Sequence, residues 1–170
     1  MADSGGRVHL PSPSFVGRGL FDGEPRGILT IMKLTIQTDG GARGNPGPAG
    51  IGVVVLNEHG KVLEEHAKYL GVTTNNQAEY KAVILGLERA VALGATSVEV
   101  IADSELIVRQ ASGEYKVKHP ELAKRFLELK NLETRLGGHV RYRHVRREQN
   151  KHADRLSNIA MDEGSGRKKR

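Results

Sequence analysis

The sequence predicts one α/β domain in which a five-stranded mixed β-sheet is flanked by helices. Three observations carry that prediction. From Met32 onward, three stretches of β character follow one another with only short turns rich in Gly, Pro and Asn between them. Two further apolar stretches then alternate with segments of helical period. The 170 residues suffice for one domain with a real core and are too few for two ordinary ones.

Each element has its own signal. Lys33 to Thr38 alternates and predicts a strand ending at Asp39, followed by the loop Gly40 to Pro48. Ala49 to Leu56 is a more apolar second strand. Asn57-Glu58-His59-Gly60 is a turn, and Lys61 to Leu70 is the third strand of an antiparallel meander. Thr74 predicts an N-cap for a helix from Asn75 to Leu93. The apolar stripe of that helix includes Ala78, Ala82, Leu85, Ala90 and Leu93, and Gly94 supplies its stop. Ser97 to Ala102 is a fourth strand, again ending at an aspartate, Asp103. A short helix spans Ser104 to Ala111, and a longer one opened by His119-Pro120 runs to Leu136. Val140 to Val145 is the fifth strand and Asn150 to Met161 the last helix.

Composition excludes whole classes. The chain has no Cys, which rules out disulfide scaffolds, thiolate metal sites and Cys nucleophiles. It has no Trp and only 4% aromatic residues, which argues against broad base-stacking platforms. No apolar run approaches the length of a membrane span, so no membrane partner is expected. The net charge of +6 favours a polyanionic partner. Much of the excess lies in Arg141, Arg143, Arg146, Arg147 and the terminal Arg167-Lys168-Lys169-Arg170. Residues 1–31 are rich in Gly, Pro and Ser, lack a sustained period, and carry cancelling charges. They are expected to be disordered, or to be an extension upstream of a natural start at Met32. The expected organisation is therefore an extension (1–31), a folded domain (32–162) and a basic tail (163–170).

Four carboxylates stand out by position: Asp39 and Asp103 at strand ends, Glu79 early in the long helix, and Asp154 early in the last. Each alone has an ordinary structural role open to it. Asp39 suits the following turn and Asp103 a helix N-cap. Glu79 suits the helix dipole, and Asp154 an ion pair with Arg155 or Lys151. Together they would repel unless a cation neutralised them, and oxygen-only donors suit Mg²⁺ or Mn²⁺.

The local motifs change the balance. Thr38-Asp39-Gly40-Gly41-Ala42-Arg43-Gly44-Asn45-Pro46-Gly47-Pro48-Ala49-Gly50 resembles the first-strand signature of the type 1 ribonuclease H family. Thr74-Asn75-Asn76-Gln77-Ala78-Glu79 resembles its helix signature, and Asp103-Ser104 the third motif. The run from His144 to Asp154 resembles the fourth. The resemblance covers about Met32 to Met161, in the family's order, and is to its compact bacterial and archaeal branch.

The resemblance implies a ribonuclease H-like fold and a metal-dependent endonuclease of the RNA strand in RNA–DNA hybrids, leaving 5′-phosphate and 3′-hydroxyl ends. It implies two Mg²⁺ ions, with Mn²⁺ as substitute, held by Asp39, Glu79, Asp103 and Asp154, Asp39 bridging them. It places Asn45, Asn75 and Asn76 against the RNA strand and Thr74 on a DNA phosphate. The family's usual proton-shuttling His departs here. His144 falls within the alternating fifth strand, whereas Arg147 occupies the loop before Asp154. Arg147 is preferred for assisting the leaving group, ahead of His144 and then His152. Larger members carry a basic, Trp-containing protrusion, and this chain has none between its third and fourth motifs. Binding is then expected to rest on a few phosphate contacts, with Lys116, Lys118, Arg146, Arg147 and the tail as candidates, and to be strongly salt-sensitive. Double-stranded RNA as substrate, or a non-catalytic nucleic-acid-binding module, are the alternatives. A cytoplasmic monomer is the expected state.

Overall fold

The structure, a computed structural model, describes residues 30–166. The expectations for residues 1–29 and for Arg167–Arg170 lie outside the described residues. The elements are β1 (Lys33–Ala42), β2 (Gly47–Leu56), β3 (Val62–Thr73), α1 (Asn75–Leu93), β4 (Ser97–Ala102), α2 (Glu105–Ala111), α3 (Pro120–Arg135), β5 (Val140–His144) and α4 (Lys151–Gly164). A 3₁₀ turn, Arg147–Gln149, precedes α4. The predicted order of elements is the observed one. The strands form one five-stranded sheet in the order β3-β2-β1-β4-β5. The hairpin-linked pairs β1–β2 and β2–β3 are antiparallel, and β1–β4 and β4–β5 are parallel. No helix among the described residues is long and apolar enough to cross a membrane.

Four boundaries differ from the sequence reading by more than one residue, the first being β2, which begins at Gly47 rather than Ala49. β1 continues past Asp39, because Gly40, Gly41 and Ala42 still pair with Ile51, Gly50 and Ala49 of β2. On its other side the ladder to β4 stops at Thr38–Ala102. Asp39 therefore lies inside one pairing and just beyond the end of the other. β3 runs to Thr73 rather than Leu70, paired with β2 as far as Gly47. α4 runs to Gly164, so the expected domain limit at 162 falls inside a helix.

α1 packs on one face of the sheet, over β1 and β2, and against α3. It is covered on more than one side, which corrects the narrow stripe expected for it. Tyr80, Val83, Ile84 and Leu87 are buried with Ala78, Ala82 and Ala90, whereas Leu85 and Leu93 are only half-buried. α4 covers the opposite face, over β2, β3 and β1. Alternation along β2 sends Val53 and Val55 under α1 and Val54 under α4 with Ala153 and Leu156.

Two glycines set how closely the helices approach. A Cβ on Gly40 would collide with the backbone of Ala78 and Glu79, so α1 seats directly on β1 only because that position has no side chain. A Cβ on Gly52 would collide with the carbonyl of Ala153 and lie 2.8 Å from Leu156 Cβ, so α4 seats on β2 for the same reason. Gly52→Ala is expected to lower the unfolding free energy by about 1–3 kcal/mol, the usual cost of overpacking. Urea denaturation measures this, and an unchanged midpoint would show that α4 has room to move.

Candidate active site

The four carboxylates reach one place from four elements. Thr74 caps α1, its hydroxyl accepting from Gln77 N–H at 3.2 Å, and so fixes where the helix begins and how it is rotated. Glu79 then falls at the start of the second turn, beyond the strongest part of the helix dipole, facing β1 where Gly40 lets the helix in. Asp103 follows β4. The cap of α2 is Ser104, which accepts from Ile107 N–H at 3.4 Å, so Asp103 is not used as a cap. One oxygen each from Asp39, Glu79 and Asp103 lies within 4.8 Å of the others. Asp154, from α4, lines the same open cavity of about 530 Å³. Its Oδ1 accepts from Arg147 Nη2 at 3.1 Å, in place of the expected Arg155 or Lys151.

The electrostatics follow from this crowding. Asp39 is 7% exposed, and its carboxyl is pushed up to about 6 from an ordinary 3.8. Burial is the main cause. The Ser157 hydroxyl, which donates to Asp39 Oδ2, opposes it, and the charges of Asp103 and Asp154 add to it. Glu79 is pushed well above the usual carboxylate range by burial first and then by Asp39 and Asp103. Asp103 is also raised, mainly by burial. Glu79 Oε2 is buried without a hydrogen-bond partner among the described residues. An unpaired buried carboxylate oxygen beside two more carboxylates makes a set of hard oxygen donors that fits Mg²⁺ or Mn²⁺.

The residues expected at the substrate corner interlock. Ala42 N–H donates to Asn75 Oδ1 at 2.7 Å, and Asn75 N–H donates to Asn45 Oδ1 at 3.2 Å. Both side-chain carbonyls are thereby used, which turns each amide NH₂ toward solvent as a donor. Asn45, Asn75 and Asn76 are all exposed.

The three candidates for assistance separate clearly. Arg147 lines the carboxylate cavity. His144 ends β5 and is exposed, with Nε2 3.2 Å from the Asp103 carbonyl oxygen, and is not among the cavity-lining residues. His152 turns to β3, its Nε2 2.6 Å from Glu65 Oε1. Two residues escaped the sequence reading. Ser157 stands three residues after Asp154, a helical spacing that puts both on one face. Asn150 is buried and donates to the Thr38 carbonyl at 2.9 Å, tying the turn before α4 to β1 beside Asp39; no sequence signal marks that contact.

A mixed sheet of this order, with carboxylates converging from β1, α1 and the end of β4, defines the ribonuclease H-like class of α/β proteins. A family model described as reverse transcriptase-like matches residues 37–160. The chain belongs to that family, and within it is of the ribonuclease H1 type. It is 38% identical over 147 residues to the ribonuclease HI of Halobacterium salinarum, covering 83% of this chain and 73% of that protein. A bifunctional protein of Mycobacterium tuberculosis is 49% identical over 132 residues, 77% of this chain. The chain spans only 36% of that mycobacterial protein's length. The solved N-terminal RNase H domain from Mycobacterium tuberculosis superposes with a TM-score of 0.77 at 46% identity, covering 79% of this chain and 97% of that one. LC11-RNase H1 in complex with an RNA/DNA hybrid gives 0.75 at 47% identity, covering 78% and 99%.

The raised carboxyl of Asp39 makes a signed prediction. The folded, metal-free protein holds this proton up to about pH 6, whereas the unfolded chain releases it near 3.8. The group therefore costs no stability below about pH 4, costs progressively more up to about pH 6, and about 3 kcal/mol above that. In EDTA, Asp39→Asn is expected to be more stable than the unmodified protein at pH 7.5, with the advantage vanishing toward pH 4. Urea titrations at the two pH values measure it, and an advantage that grows at low pH would contradict the assignment.

Proposed function

We propose that this protein is an endonuclease that hydrolyses the RNA strand of RNA–DNA hybrids, leaving 5′-phosphate and 3′-hydroxyl ends. The observation that carries the reading is the convergence of Asp39, Glu79 and Asp103 within 4.8 Å, beside the exposed amides of Asn45 and Asn75. The complex of LC11-RNase H1 with an RNA/DNA hybrid supports it. Asp39, Glu79, Asp103 and Asp154 would hold two divalent ions, Mg²⁺ or in its place Mn²⁺. Such ions supply a nucleophilic hydroxide near neutral pH and charge stabilisation for the leaving oxygen.

The chain's own residues do the rest. The NH₂ groups of Asn45 and Asn75, with Asn76 beside them, donate to 2′-hydroxyl oxygens in the minor groove, the groups that distinguish RNA from DNA. The Thr74 hydroxyl accepts from the backbone and keeps its own proton to donate to a DNA phosphate. Ser157 holds Asp39 in one orientation. Arg147 meets the scissile phosphate. It remains charged at any working pH, more firmly for its contact with Asp154, so it stabilises charge and does not act as a general acid. Residues 1–31 and those after α4 are proposed to lie outside the catalytic unit. The protein is proposed to act as a monomer in the cytoplasm.

The test is cleavage of one labelled strand in matched RNA–DNA, RNA–RNA and DNA–DNA duplexes, each with Mg²⁺, Mn²⁺ or EDTA. Metal-dependent cutting of the hybrid's RNA strand is expected, with a loss of about 10²–10³-fold in Asp39→Asn, on the order of removing one transition-state contact. Turnover that survives that substitution would sink the mechanism. Cutting of duplex RNA would widen the substrate, and binding without cutting would leave a nucleic-acid-binding module.

A further inference from the structure

Arg43 stands between the last residue of β1 and the Gly44–Pro46 turn. Its backbone is pinned, with N–H donating to the Pro48 carbonyl at 2.8 Å, next to the bond from Ala42 to Asn75. Its side chain is also held. Nη1 lies 2.5 Å from Oδ1 of Asp162, near the end of α4, as an ion pair without hydrogen-bond geometry, and the two side chains are 29% and 33% exposed. Asp162 follows Asp154 by eight residues, about two helical turns, and so projects from the same face of α4. Arg43 lines the same cavity as the carboxylates and Arg147. That cavity thus carries two guanidinium groups, one on Asp154 and one on Asp162.

A guanidinium in this position is suited to a phosphodiester. Its planar fork has donors left for phosphate oxygens beside the carboxylate, and it is already largely desolvated, so meeting a phosphate costs little further hydration. A partner on a helix keeps it extended before substrate arrives, which lowers the ordering cost of binding. Without Asp162, the nearest anions on the cavity wall are the carboxylates that the metal requires.

We propose that Arg43 contacts a phosphate of the bound strand beside the nucleotides met by Asn45 and Asn75, and that Asp162 is the positioning residue that holds it there. This rests on the hybrid reading above. The contact adds one phosphate to the few available to a chain without a basic protrusion.

The experiment is hybrid binding by fluorescence anisotropy across a KCl series, in the uncleaving Asp39→Asn background. Arg43→Ala is expected to weaken binding about tenfold at low salt and to reduce the slope of log K against log salt by about one. Arg43→Lys should keep the slope and lose affinity several-fold, because a point charge replaces the fork. Asp162→Asn should lose about threefold with the slope unchanged, and the Arg43→Ala/Asp162→Asn pair should match Arg43→Ala alone. A purely structural clasp predicts lowered melting temperatures for Arg43→Ala and Asp162→Asn with wild-type salt slopes, and that result overturns the proposal. Additive losses in the double variant overturn the positioning role of Asp162. Failure of the hybrid reading is distinct: the unmodified protein then cuts no hybrid in Mg²⁺ and Asp39→Asn binds none, which overturns both.

Discussion

The mutual repulsion of Asp39, Glu79 and Asp103 is the constraint on which the rest depends. Two ionised carboxylates at the 4.8 Å limit of this cluster repel by about 3 kcal/mol at an effective dielectric near 20. That exceeds what an exposed ion pair contributes. The carboxylates therefore stay together because the backbone that carries them cannot yield. β1 is central in the sheet, with β2 on one side and β4 on the other. α1 is pressed onto it at Gly40 and α4 onto its neighbour at Gly52. Close contact at these two points brings Glu79, Ser157 and Asp154 to Asp39, and a side chain at either glycine would push a helix away from it.

The same rigidity explains how charge is distributed around the site. Ser157 and Arg147 offset part of the repulsion, the first by a hydrogen bond to Asp39 and the second by pairing with Asp154. Neither relieves Glu79, whose buried Oε2 has no partner among the described residues. The carboxylates thus stay crowded in the cavity, with the guanidinium groups of Arg43 and Arg147 also lining it. The asparagine corner, fixed by bonds from Ala42 and Asn75, lies alongside.

Much of the fold was legible in the chain. The limits of α1 and β4 match the predicted ones, because Thr74, Gly94 and the turn residues act locally on a few neighbouring dihedrals. The burial pattern of α1 was less legible. Leu85 and Leu93 look like core residues on a one-sided helix, whereas Leu87 and Tyr80, whose hydroxyl donates to Gln110 Oε1 of α2, are buried more deeply, which only the packing of other elements decides. β1 was read as ending at Asp39 because the glycines look like a loop, whereas pairing with β2 holds them in the strand.

The sequence by itself determined which elements form, in what order, and which carboxylates are candidates, since caps, periodicity and motif spacing are properties of neighbouring residues. Tertiary structure alone decided the rest. It made Ser157 a partner of Asp39 and Asn150 a tie to Thr38, gave Asp154 to Arg147, and turned His152 away to Glu65. Contacts such as Ser157 with Asp39 join residues more than a hundred positions apart. They depend on how closely two helices seat on a sheet, a distance set by packing that no local pattern encodes.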